Sequence, residues 1–186
     1  MTDRRRQILD TAAQLFAQRG FHGVSVHDIG AACGISGPAL YKHFRGKDEL
    51  LAASLTDISE TLLKEGSARA AAAGSPEQAL NALLDWHVDF ALGHPALITV
   101  QDREWTNLDA TARRDVRALQ LSYIDLWVDT VQALRPALGG VEDRATARAA
   151  VQATFGLLNS TPHSARINPT QMRALLTEMA HRSLAG

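Results

Sequence analysis

Apolar residues recur at three- and four-residue intervals in nine separate stretches, each bounded by glycine, proline or a capping side chain. Over 5–19, Ile8, Ala12, Leu15 and Phe16 fall on one stripe, and Gly20 ends the run. Ser25 precedes a short helix carrying Val26, Ile29 and Ala32, with Asp28 at the capping-box position; it stops at Cys33-Gly34. The turn 34–36 leads into a third helix over 37–44, capped by Ser36 and with Pro38 in its first turn. After Gly46 a fourth helix runs over 47–70, its start favoured by Asp48 and Glu49. Ser75-Pro76 opens a fifth over 77–92, with Leu80, Leu83, Leu84, His87, Val88 and Ala91 on one broad face. Gly93-His94-Pro95 separates it from a sixth that ends near 105. A seventh spans 111–134, lined by Leu119, Tyr123, Leu126, Trp127, Thr130 and Leu134, and Arg135-Pro136 with Gly139-Gly140 ends it. An eighth over 143–159 carries Ala147, Val151, Thr154, Phe155 and Leu158; a loop over 160–169 leads to a ninth over 170–183, with Met172, Leu175, Leu176 and Met179. The predicted fold class is therefore all-α, with about nine helices.

Composition agrees. Hydrophobic residues make up 46% of the 186, mostly alanine and leucine, with few β-branched or aromatic residues, which favours helix over sheet. That length holds one small and one mid-sized domain, or a single helical body. No apolar run approaches the roughly 20 residues of a membrane span, and no hydrophobic signal core follows Arg4, Arg5 and Arg6, so a cytoplasmic protein without a membrane partner is expected. Cys33 is the only cysteine, which suits a reducing compartment. The net charge of −1 hides an asymmetry. Residues 1–47 hold seven Lys/Arg against three acids, +4, which leaves −5 for the remainder. A basic head on an acidic body fits a nucleic-acid reader with a separate regulatory body.

The first three helices fit a helix-turn-helix. The second must cross the third steeply within a few residues, and Gly34 permits that turn while Ile29, Ala32, Ile35 and Leu40 can hold the angle. The third helix then enters the major groove with its N-terminal residues leading. At this point the chain resembles the TetR family of repressors. The resemblance is carried by the blocks 8–16 (ILDTAAQLF), 20–26 (GFHGVSV), 29–36 (IGAACGIS), 39–44 (ALYKHF) and 47–51 (KDELL), in order over the first fifty residues. It implies a DNA-binding domain over 1–46 and a helical ligand-binding and dimerisation domain over 47–186. It also implies that Ser25 and His27 contact the DNA backbone, that Gly37, Pro38, Ala39, Tyr41, Lys42 and His43 lie on the recognition helix, and that Tyr41 and Lys47 clamp phosphates. Two positions depart from the family: Ala39 replaces the usual threonine and Gly37 offers no side chain to a base. Base readout then rests on Lys42, apolar contacts from Pro38 and Ala39, and DNA shape. Tyr41 and His43 can alternatively pack the head, with Lys47 a solvated charge.

The resemblance further implies an effector pocket enclosed by the fifth to seventh helices, and a homodimer through the eighth and ninth. Small residues Ala147, Ala149, Ala150, Ala153 and Gly156 on the eighth allow close approach of a partner helix. Candidate pocket residues are the polar and aromatic groups on apolar faces: Trp86, His87, Phe90, Arg103, Trp105, Tyr123, Trp127, Phe155 and Asn159. For the aromatics and His87, plain core packing is the competing reading, and Arg103 can equally form a surface pair with Glu104. The stretch 159–163 (NSTPH) resembles members that respond to acyl-CoA thioesters, and an acyl-CoA or another hydrophobic ligand is the preferred effector. No cofactor is expected. The chain carries no Walker loop, Gly-x-Ser-x-Gly, Cys-x-x-Cys or His-Glu-x-x-His, so it is read as a non-enzyme. The expected function is a one-component regulator, a repressor, that binds palindromic operator DNA; a helical protein-interaction module or an activator of the same fold is the alternative.

Overall fold

The computed structural model describes residues 3–135 and 141–185. Among the described residues ten helices follow one another: α1 (Asp3–Arg19), α2 (Val26–Ala32), α3 (Gly37–Tyr41), α4 (Lys47–Ala71), α5 (Pro76–Gly93), α6 (Pro95–Glu104), α7 (Ala110–Leu134), α8 (Val141–Leu158), α9 (Thr161–Ser164) and α10 (Pro169–Ala185). A 3₁₀ turn, Trp105–Asn107, separates α6 from α7, and no strand occurs among the described residues. The stop signals at Pro136 and Gly139-Gly140 lie outside the described residues.

Local chemistry sets most boundaries. Ser25, Ser36 and Ser75 cap α2, α3 and α5, each hydroxyl accepting a bond from a first-turn N–H, and Pro38 and Pro76 sit where no donor is needed. Asp109 caps α7, its Oδ1 accepting from the N–H groups of Thr111 (2.8 Å) and Ala112 (2.9 Å). Two boundaries differ from the expected pattern. The recognition helix ends at Tyr41 rather than at Phe44, because the N–H groups of Lys42 and His43 turn back three residues, to Ala39 (3.3 Å) and Leu40 (2.9 Å). That tightening delivers Phe44 into the core, where it is buried. Within the expected loop 160–169, α9 forms because the buried Thr161 hydroxyl donates to the Ala91 carbonyl at 2.6 Å.

The chain divides into two compact units. The first comprises 1–59 and 96–117, so the functional boundary expected at 46/47 falls inside it, at the start of α4. Its core joins Ile8, Phe16, Ile29, Leu40, Phe44, Leu50 and Leu55 to Val100, Leu108 and Val116. Gly34 turns α2 into α3 at φ +65, a left-handed conformation that costs glycine little. Cys33, not Ala32, packs beneath this turn; Ala32 is exposed. Arg4 donates to the Cys33 carbonyl at 3.1 Å, tying the start of α1 to the end of α2.

The second unit comprises 60–95 and 118–186. The six residues of the α5 face, Leu80 to Ala91, are all buried. They meet Trp127, Val128 and Val131 of α7, Val151 and Leu158 of α8, and Met172, Leu176, Ala180 and Leu184 of α10. Arg173 on α10 pairs with Asp89 on α5, an exposed pair of little energetic weight.

Candidate DNA interface and effector site

The expected contact residues of the head differ in exposure. Pro38, Lys42 and His43 are exposed, and Tyr41 retains 57% of its surface, unusual for a large aromatic side chain without a partner. Gly37 and Ala39 are half-buried along α3. Ser25 and His27 are exposed at the start of α2. An open groove of about 670 Å³ lies between these helices, bordered by His22, Ser25, His27, Tyr41, Gly46 and Lys47. Asp28 and Asp48 border it as well, so its lining mixes donors with carboxylates.

Three residues in this groove, Ser25, Asp28 and Lys47, have structural roles as well. Ser25 and Asp28 close a full capping box: the Ser25 N–H donates to Asp28 Oδ2 (2.8 Å), and the Asp28 N–H donates to Ser25 Oγ (3.1 Å). The bonds from Ser25 hold the Asp28 carboxyl below its ordinary value. Lys47 donates its ammonium to the carbonyls of Phe21 (3.1 Å) and Val24 (3.3 Å), over the Phe21 ring at 4.4 Å. It therefore fastens the α1–α2 corner, and its third donor remains for an anion. His22 is absent from the expected contacts although it borders the same groove. Its place between Gly20 and Ser25 is the only sequence signal for it.

In the second unit, five expected effector residues form one aromatic cluster. The His87 ring stacks on Phe155 (4.6 Å, 10°) and on Tyr123 (5.8 Å, 16°), and meets Phe90 edge-on at 5.6 Å. Trp127 stands edge-on to His87, Tyr123 and Phe155 at 5.9, 6.1 and 5.0 Å. His87, Tyr123, Trp127 and Phe90 are buried, and Phe155 is partly buried. Asn159 joins the cluster by accepting the His87 Nε2–H at 3.1 Å. Trp86 faces elsewhere: its indole N–H donates to the Leu62 carbonyl at 3.2 Å, and Arg69 lies 4.9 Å over its ring. Arg103 and Trp105 belong to the other unit, Arg103 exposed and Trp105 packed against the head's core. Sequence order alone does not register Gly66, although a glycine in the middle of a 25-residue helix is a signal. A methyl group on it would meet Tyr123 Cε2 at 2.7 Å.

Burial pushes His87 down to about 4, with the Asn159 bond opposing, so the ring is neutral. The unfolded chain gains this proton near pH 6.5 and the folded chain resists it to about 4. The contribution is fully present above 6.5 and is lost as pH falls across that window, amounting to roughly 3 kcal/mol. Denaturant midpoints of wild type and His87→Gln between pH 7 and 4.5 should show a steeper loss in wild type. Parallel pH profiles would refute the assignment.

The sequence matches the family of bacterial regulatory proteins of tetR type over residues 8–54, and a tetracycline-repressor-like C-terminal domain over 73–163. It is 30% identical over 132 residues to the HTH-type transcriptional repressor KstR2 of Rhodococcus jostii (strain RHA1), a stretch covering 70% of this chain and 64% of that repressor. The chain thus spans under two thirds of that relative's length. The fold matches a TetR-family transcriptional regulator from Bordetella parapertussis 12822 with TM-score 0.84 at 24% identity, covering 100% of this chain and 96% of that one. It also matches AibR in complex with isovaleryl coenzyme A and operator DNA, with TM-score 0.75 at 22% identity, covering 98% and 99%. Two family matches in sequence order, on a helix-turn-helix head followed by a helical body, establish that the chain belongs to the TetR family of bacterial regulatory proteins.

Proposed function

We propose that this protein is a one-component transcriptional repressor that binds palindromic operator DNA as a homodimer and is released by a small-molecule effector. The observation that carries the reading is the α2–turn–α3 head, which turns Pro38, Tyr41, Lys42 and His43 outward beside a groove bordered by Ser25, His27 and Lys47. In this reading Tyr41 and Lys47 hold phosphates, Ser25 and His27 position the backbone, and Lys42 reaches base edges while Gly37, Pro38 and Ala39 fit against the groove. The protein works in the cytoplasm, where its operator is.

Dimerisation is assigned to α8 and α10. Of the small residues expected on the partner-facing side of α8, Ala149, Ala153 and Gly156 are exposed, whereas Ala147 is buried in the subunit's own core and Ala150 packs against it; Ala145 is exposed too, and α10 exposes Leu175 and Met179. Two copies of this pair make a four-helix bundle with two-fold symmetry, which places two recognition helices on a palindrome. The effector is assigned to the second unit, around His87, Phe90, Tyr123, Trp127, Phe155 and Asn159; Trp86, which faces Leu62 and Arg69, and Arg103 and Trp105, which fold with the first unit, are left out of the assignment. A hydrophobic ligand, an acyl-CoA or another molecule with an apolar body, suits the aromatic walls; AibR, which shares the fold, is found in complex with isovaleryl coenzyme A and operator DNA. Such a ligand shifts the protein away from its operator-binding state only by its differential affinity for the two states.

A band-shift titration on palindromic fragments tests the reading. The Tyr41→Phe, Lys47→Ala double variant should bind about 10- to 50-fold more weakly, equally across DNA sequences and with a shallower salt slope. Full operator affinity in that variant would refute the clamp. Wild-type protein that binds no fragment at low salt would favour a protein-interaction module.

A further inference from the structure

The aromatic cluster of the second unit encloses polar atoms whose hydrogen bonding is incomplete among the described residues. His87 Nδ1 is buried without a partner, and the buried Tyr123 hydroxyl and Trp127 indole N–H have at most each other, the indole as donor, which leaves the Tyr123 O–H unused. Native folds rarely keep such groups unpaired, because an unmade buried hydrogen bond is a full desolvation loss. Their characters are complementary. Asn159 accepts the proton on His87 Nε2, so a neutral ring presents Nδ1 as an acceptor. Trp127 offers a donor only, and Tyr123 offers both a donor and an acceptor.

The cluster contains no ionised side chain. His87 is held neutral, and burial pushes the Tyr123 phenol above its ordinary value, against smaller opposing effects from Trp127 and Arg69. Arg69 itself is exposed and lies over the Trp86 ring. A carboxylate entering here would bury an unpaired charge and would offer no donor to Nδ1. A saturated hydrocarbon would leave His87 Nδ1 and the Tyr123 O–H unpaired. The smallest organic group that meets an acceptor and a donor together is a hydroxyl. The ring that would receive it is held in place because the missing Cβ of Gly66 lets Tyr123 lie against the α4 backbone.

We propose that this cluster is the specificity element of the effector site and selects a neutral hydroxyl group on an apolar body, a phenol or an alcohol, over the matching hydrocarbon and carboxylate. The proposal rests on the second unit being the effector domain. It makes His87, Tyr123 and Trp127 the groups that read the ligand's polar end, with Gly66 as a positioning residue for Tyr123.

Calorimetric titration of the full-length protein with 4-ethylphenol, 4-ethyltoluene and 4-ethylbenzoate at neutral pH tests it, with release of a bound operator fragment followed in parallel. The phenol should bind at least about tenfold more tightly than the toluene, which one satisfied buried pair corresponds to, and the benzoate should bind most weakly. Tyr123→Phe should shrink the phenol-to-toluene ratio to below about threefold. Asn159→Leu, which frees the His87 proton to change nitrogen, should shrink the same ratio and serves if Tyr123→Phe folds poorly. Benzoate binding as tightly as phenol, a ratio unaltered in both variants, or no binding of any probe by protein that still holds operator would each overturn the proposal and leave the regulator reading standing. A chain that prefers the phenol yet binds no operator would support the cluster's chemistry and overturn the regulator reading.

Discussion

Replacing Trp127 with alanine lowers stability by about 4 kcal/mol, the range found for removing a fully buried large aromatic side chain. The indole is completely buried and its edge faces three other rings, so its loss leaves His87, Tyr123 and Phe155 bordering a void. Those rings are anchored on α5, α7 and α8 and cannot all collapse into the space, which keeps the cavity cost high. Trp127→Phe retains most of the volume and costs less than half as much. Urea unfolding followed by circular dichroism measures both. A Trp127→Ala midpoint within about 1 kcal/mol of wild type would show that the ring is not structural and that the cluster opens readily.

In the proposed α8–α10 dimer, Leu175→Glu combined with Met179→Glu should dissociate the two copies and reduce operator affinity by about a thousandfold. The two side chains retain 43% and 45% of their surface on α10, one helical turn apart. In a two-fold interface each change occurs twice, so four carboxylates meet where apolar surface was, and like charges in a desolvated seam cost several kcal/mol. A monomer keeps one reading head, loses half of the phosphate contacts and forfeits the effective concentration that tethering supplies. Analytical ultracentrifugation reports the first effect and a band shift the second. A variant that sediments as a dimer would remove α10 from the interface.

Most of the architecture is legible along the chain because each helix carries its own apolar stripe. The α5 face is a clear case, with Leu80, Leu83, Leu84, His87, Val88 and Ala91 all buried as their spacing predicts. The head is legible because its determinants are local: Ser25 with Asp28, Gly34, and Ser36. Where sequence reading falls short, a distant contact decides. Phe44 lies four residues after Leu40 and continues the helical spacing, yet the backbone has already tightened. The Thr161 turn depends on the Ala91 carbonyl, seventy residues away. The ammonium of Lys47 is committed to carbonyls 23 and 26 positions earlier. Arg103 and Trp105 are close in sequence to the cluster-bearing helices, but 96–117 folds with the head, a long-range outcome that no local periodicity encodes. The cluster's membership was visible as polar and aromatic residues on apolar faces; its unpaired atoms were not, because satisfaction is a property of three dimensions.

The backbone leaves the reading head after residue 59, comes back at 96 and departs again at 117. A head built from two strips of chain is no detachable cassette. Grafting the leading strip alone onto another regulator would strip Val100, Leu108 and Val116 from beneath it and leave apolar surface facing water. Chimeras that exchange DNA specificity among such proteins therefore have to transplant both strips together, or repaint only the outward positions of α2 and α3.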